Sequence, residues 1–175
     1  MRWDDLFAAL EAEADDLDRR NRDADIADRT RSAQAQQSWL ARCGGQELAV
    51  RVAGAGVLRG VPDRVATAWL LLRTGGSTDW IVSTAAVLSV SGLSEVAVSG
   101  ALLDERLGWT HVWRVLSRDR SEVRVVCSDG TVVRGVPEAV GRDYVEVRAY
   151  DAGRPVGRTT EAVPYAAIAA VGCPA

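Results

Sequence analysis

Arg59-Gly60-Val61-Pro62-Asp63-Arg64-Val65-Ala66-Thr67-Ala68-Trp69-Leu70-Leu71-Leu72-Arg73 has a counterpart in Arg134-Gly135-Val136-Pro137-Glu138-Ala139-Val140-Gly141-Arg142-Asp143-Tyr144-Val145-Glu146-Val147-Arg148. The offset is 75 throughout, without a gap, and it pairs Gly60 with Gly135, Pro62 with Pro137, Val65 with Val140 and Trp69 with Tyr144. Upstream at the same offset Val50 falls on Val125, and Gly54 to Leu58 fall on Asp129 to Val133. Downstream the register resumes at an offset of 81, where Val82 meets Val163, Val87 meets Ile168 and Val90 meets Val171. The slip lies between Gly75-Gly76-Ser77 in one copy and Asp151-Ala152-Gly153-Arg154-Pro155 in the other. Insertions are tolerated in turns of that composition. Self-similarity at a fixed offset marks a duplicated structural unit.

Each copy has the same strand pattern. In the second, Val123-Arg124-Val125 alternates, and Ser128-Asp129-Gly130-Thr131 supplies a hairpin turn whose Asp-Gly pair tolerates positive φ. A second strand covers Val132 to Val136, a third Tyr144 to Arg148 with period two, and a fourth Arg158 to Val163. A short Pro-Tyr-Ala-Ala turn then leads into Ile168 to Val171. Gly135 marks a sharp bend, where a side chain would collide with the neighbouring strand, and Pro137 belongs at an edge or bulge because it cannot donate to a ladder. Five short, bent strands with exposed edges are hazardous, and closure into a barrel removes the edges. Two small five-stranded barrels are therefore expected, at 44–93 and 119–175. In the N-terminal segment, 1–43, Trp3, Leu6, Phe7, Leu10, Ala14 and Leu17 recur at helical spacing, and helicity resumes from Ile26 to about Arg42. Between the barrels, 94–118, Leu102, Leu103, Leu107, Trp113 and Leu116 predict a helix over about 102–117. The expected class is mainly β with helices (α+β), each barrel preceded by a helix and the chain opening on an amphipathic one.

A helix, five strands, a Gly-x-x-x-x-Val bend in the second strand and a short turn before the last resemble the Sm-like fold, and small SH3-like barrels share most of these features. Gly60 to Val65 and Gly135 to Val140 carry the resemblance. The chain, particularly its Met1-to-Phe7 opening, also looks like a group of actinobacterial proteins of unknown function. The Sm-like resemblance implies rings that bind single-stranded RNA through loop residues. The family pattern expects an Asp shortly after the bend, an Asn further on, and an Arg-Gly or Lys-Gly pair in the last turn. Here Gly141 and Val145 stand near the first two positions, as do Ala66 and Leu70 in the first copy. The last turns read Ser83-Thr84-Ala85-Ala86 and Pro164-Tyr165-Ala166-Ala167, with neither a basic residue nor a glycine. The fold carries over better than the RNA site.

Composition narrows the function further. The formal net charge is −3, and all 21 basic side chains are arginine, since the chain has no lysine. Residues 1–43 carry seven Arg against ten acids, 44–113 five against six, and 114–175 nine against eight. None of these segments has the positive excess on which phosphate binding usually rests. Cys43, Cys127 and Cys173 are far apart and lack a Cys-x-x-Cys spacing, as expected of reduced thiols in a cytoplasmic protein. The acidic start argues against a signal peptide, and no run of about 18 apolar residues reads as a membrane span.

His111 is the only histidine, so neither a histidine triad nor a multi-histidine metal site is available, and there is no phosphate-loop motif. Acidic pairs such as Asp4-Asp5, Asp15-Asp16 and Asp104-Glu105 stand beside arginines on expected helices and read as solvated faces. No cofactor, catalytic group or small-molecule substrate is expected. The aromatic residues are the remaining candidates. Trp69 and Tyr144 are expected to share a packing role. Trp109 and Trp113, four apart, share a helix face that either seals against a barrel or anchors a partner, and Trp3 and Phe7 repeat that spacing. Trp80 has no aromatic mate. Trp3, Phe7, Trp80, Trp109 and Trp113 are the candidate partner-binding residues. The expected function is a non-catalytic scaffold making protein contacts, including self-association; the alternative is an RNA- or DNA-binding regulator.

Overall fold

The computed structural model describes residues 37–95, 97, 107–151 and 154–174. Ten strands follow one another as β1 (Leu48–Val52), β2 (Gly56–Val65), β3 (Trp69–Arg73), β4 (Thr78–Ser83), β5 (Val87–Ser91), β6 (Val123–Cys127), β7 (Val132–Val140), β8 (Tyr144–Asp151), β9 (Arg154–Pro164) and β10 (Ile168–Pro174). Among the described residues one helix, α1 (Trp109–Arg118), precedes β6, and 3-10 turns occupy Trp39–Arg42, Thr84–Ala86 and Tyr165–Ala167. The strands form one open antiparallel sheet in the order β5-β1-β2-β3-β4-β10-β6-β7-β8-β9.

The duplication holds at the level of individual strand pairs. Leu48 faces Gly60 and Val123 faces Gly135; Val61 faces Arg73 and Val136 faces Arg148; Leu70 faces Val82 and Val145 faces Val163; Val50 faces Val90 and Val125 faces Val171. Even the bulges coincide, one after Pro62 and one after Pro137. Each proline thus sits beside an irregularity in the ladder, where its missing N–H is tolerated. At the bend, a Cβ on Gly60 would lie 2.6 Å from the Arg73 carbonyl oxygen, and one on Gly135 would be driven into the carbonyl of Arg148. Glycine is required at both positions by close approach of the next strand.

The expectation of two separately closed barrels is corrected by the strand order. Neither copy pairs its fourth strand with its own fifth. Instead β4 of the first copy pairs with β10 of the second, with Val82 opposite Ala170, Ile81 opposite Val171 and Trp80 opposite Gly172. The edge hazard that argued for closure is met at this seam by the other copy. The seam strands are accordingly buried on both faces. Val82 belongs to the core of the first copy, with Leu48, Val50, Leu70 and Leu72, whereas Ile81 joins that of the second, with Trp113, Val125, Val147 and Val171. Ala169 crosses in the opposite direction, from β10 into the first copy's core. Strands covered on both faces read as continuous apolar runs, and Ile168-Ala169-Ala170-Val171-Gly172 is one.

Of the helix expected over about 102–117, the part from Trp109 onward is seen as α1, with Gly108 as its extended N-cap and Leu107 outside it, and residues 98–106 lie outside the described residues. Trp109 and Trp113 stack with centroids 6.2 Å apart and planes inclined by 26°. With Val112 they press on the second copy's core, and their indoles share it with Trp69 from β3. The amphipathic helix expected in 1–43 lies outside the described residues, except that Trp39–Arg42 is a 3-10 turn whose Leu40 enters the first core.

Candidate functional site

The seam is built from residues whose duplicates are left at the two ends of the sheet. At one end β5 pairs only with β1, and at the other β9 pairs only with β8, among the described residues. By the offset of 81, β5 is the duplicate of β10 and β9 that of β4. The sheet therefore ends in the two strand types that are zipped together at its centre, each with its outer backbone groups unpaired. Such edges are templates for strand addition.

Side chains at these ends reinforce the correspondence. Leu88 on β5 is 66% exposed, and its duplicate Ala169 is fully buried in the core across the seam. Tyr144 at the start of β8 is 38% exposed, while its duplicate Trp69 is 5% exposed and donates its indole N–H to the Leu107 carbonyl at 2.7 Å. The packing role expected for both aromatics is thus met by Trp69, next to the seam, and left open at Tyr144, next to the free end. By contrast Val57 and Val132, which are also duplicates, are exposed to 44% and 40%, so their exposure is a property of the repeat itself.

Trp80 is half-buried at the seam, lying against Gly172, with the Arg124 guanidinium 5.7 Å from its ring centroid. They line a cleft of about 300 Å³ with Glu122, Arg134 and Cys173. A second, apolar cleft of about 230 Å³ lies between α1 and the seam, lined by Trp69, Leu71, Ile81, Val112 and Leu116 with His111 among its walls. Trp109 and Trp113 are buried, Trp113 completely, so their shared face is used inside the chain to seal α1 on the core. Trp3 and Phe7 lie outside the described residues.

The strongest electrostatic feature is also structural. Asp79 on β4 is buried and accepts hydrogen bonds from Arg73 Nη1 at 2.6 Å and the Thr74 N–H at 3.1 Å. Burial works to raise its carboxyl pKa, but the bonds from Arg73 and Thr74 outweigh it and hold the group below the usual carboxylate range. Arg73 also pairs with Asp63, and the duplicate residues Arg148 and Glu138 repeat that bridge. All three cysteines are free, with Cys43 and Cys173 pushed up to about 11 by burial. Such thiols stay protonated at neutral pH. Among the described residues no group of His, Cys, Asp and Glu is arranged to hold a metal ion, and no helix is long and apolar enough to cross a membrane.

Sequence reasoning singled out aromatic residues and expected the edges to be removed by barrel closure. The signal lay in comparing duplicates. Val87-Leu88-Ser89-Val90-Ser91 keeps polar residues where Ile168-Ala169-Ala170-Val171-Gly172 has none, and this separates an open edge from a covered strand. No protein-family model matches the chain, and no curated protein matches it in sequence.

Proposed function

We propose that this protein is a non-catalytic cytoplasmic scaffold that works by protein–protein contact, its two repeats acting as five-stranded units of the Sm-like or SH3-like kind joined edge to edge in one sheet. One observation carries the reading: among the described residues the sheet ends in two strands that are each paired on one side only, and exposed apolar side chains, Leu88 and Tyr144, stand beside them. A strand edge offers main-chain hydrogen bonds for affinity, and the flanking side chains add selectivity. The reading requires no cofactor, metal or small-molecule substrate. The test is retention of protein on the immobilised full chain from nuclease-treated host extract, together with light scattering of the purified chain. Recovery of a defined partner, whether another protein or more of the same chain, supports the scaffold. A strict monomer that retains no protein contradicts it.

A second reading, a nucleic-acid-binding regulator, is favoured by Arg124 over the Trp80 ring with Arg134 in the same cleft. Arginine and a stacking indole are the components of a single-strand site. Glu122 in that cleft offsets part of the charge. Binding of single-stranded RNA that weakens with rising salt supports this reading, and no retention at low salt refutes it.

A further inference from the structure

We infer that the cleft across the seam binds a small phosphate ester, its phosphoryl group clamped between Arg124 and Arg134 and its organic part resting against Trp80. This goes beyond the protein-contact reading and does not depend on the strand edges.

The cleft follows from one row of residues across the sheet. Trp80 on β4 faces Gly172 on β10, Gly172 faces Arg124 on β6, and Arg124 faces Arg134 on β7. Side chains of directly opposed residues emerge on the same face, roughly 5 Å apart at Cβ. Gly172 leaves the gap, since a Cβ there would lie 3.1 Å from the outer ring carbons of Trp80. The indole leans over the glycine toward Arg124, whose guanidinium stands 5.7 Å from the ring centroid. That cation–π contact steadies one of the two guanidinium groups.

Two like charges directly opposite one another destabilise a ladder. Both arginines are exposed, and among the described residues neither has an ion-pair partner. The repeat does not require this arrangement. In the first copy Arg59 keeps the place of Arg134, but Ala49 faces it where the second copy has Arg124. Gly172 has Ser91 as its duplicate, and Trp80 has Glu161. Three of the four residues in the row therefore differ from their duplicates, and the differences supply a second charge, a gap and an aromatic wall. They meet only because the two copies share a seam.

The ligand class follows from the donors. One guanidinium fork uses both oxygens of a carboxylate, whereas a phosphate monoester has three terminal oxygens and nearly two charges to share between two forks. Acids limit the size of the ligand. Glu122 stands in the wall of the cleft, and Glu161 in that of a second cleft of about 280 Å³ that both arginines also line. A chain of phosphates running past the pair meets these carboxylates, while a single phosphoryl group needs only the arginines. The volume of about 300 Å³ is at the lower end for small-molecule sites. The surrounding segment has little net positive charge, so binding rests on two directed forks and not on a broad field.

Isothermal titration calorimetry of the full chain with phenyl phosphate tests the inference. The wild type should bind one equivalent, more tightly than inorganic phosphate, and benzoate should bind at least about tenfold more weakly. Arg124→Gln and Arg134→Gln should each weaken phenyl phosphate by about tenfold or more. Arg59→Gln, at the duplicate position in the first copy, should leave it unchanged. Without ligand, both cleft variants should melt at or above the wild-type midpoint, because each relieves a like-charge contact. No binding of phenyl phosphate at millimolar concentration, equal affinity for benzoate, or a loss in Arg59→Gln as large as in Arg134→Gln overturns the inference. So do lower midpoints in both cleft variants, which would show that the pair is not in conflict. A single-stranded oligonucleotide that binds through Arg124 when phenyl phosphate does not overturns it in favour of the nucleic-acid reading. None of these failures touches the scaffold reading, which stands or falls on capture of protein.

Discussion

At the scale of single residues, Gly60 and Gly135 show how far a repeat can be argued from chemistry. A glycine in an otherwise apolar strand predicts a close approach, and in both copies the approaching group is the carbonyl of an arginine late in the paired segment of the next strand, Arg73 or Arg148. The approach is tighter at Gly135. Gly135→Ala should therefore cost about 3 kcal/mol, at the upper end for overpacking, and Gly60→Ala less, as read from denaturant midpoints. Equal costs would contradict the difference in geometry. Asp79 supplies a pH dependence. Its folded pKa lies below that of a free aspartate, so its stabilisation is present at neutral pH and is lost as the pH falls through the folded value. Asp79→Asn should cost about 1–2 kcal/mol at pH 7, and the gap to wild type should narrow below about pH 4. A gap that is constant over that range would show that the carboxylate charge contributes nothing. The Gly135 bend was legible in advance, but the Asp79 site was not, because Arg73, Thr74 and Asp79 form an ordinary polar stretch until the β3–β4 hairpin brings them together.

At the scale of elements, the 3.6-residue spacing identified α1, and the four-residue interval of Trp109 and Trp113 identified its buried face. Which alternative that face served was not legible, because packing on the core and binding a partner need the same stripe. Trp113 is fully buried, and its indole N–H has no hydrogen-bond partner. An unsatisfied buried donor is costly, so Trp113→Phe should lose under about 1 kcal/mol, while Trp113→Ala should lose about 3–5 kcal/mol. Chemical denaturation of the two variants separates packing from polarity; similar losses would show that the N–H carries no penalty. The strands were legible to within a few residues, since alternation, Asp-Gly turns and the proline-marked bulges are local signals. The outer partner of β4 was not, because the pattern within one copy contains no information about a strand from the other.

At the scale of the whole molecule, duplication explains both the order inside the chain and the incompleteness of its ends. Two identical units joined by a heterologous edge always leave one edge of each type unused. The seam also exchanges core residues, with Ile81 crossing one way and Ala169 the other, so the two copies should unfold as one. Far-ultraviolet circular dichroism and tryptophan fluorescence should give coincident transitions, and two resolved steps would indicate independent repeats. Amide hydrogen exchange tests the seam most directly. The account predicts that the backbone amides paired across the seam, around Val82 in β4 and Ala170 in β10, exchange as slowly as those in β1 and β6, while outward-facing amides of β5 and β9 exchange rapidly. Seam amides exchanging as fast as those free edges would contradict the single ten-stranded sheet.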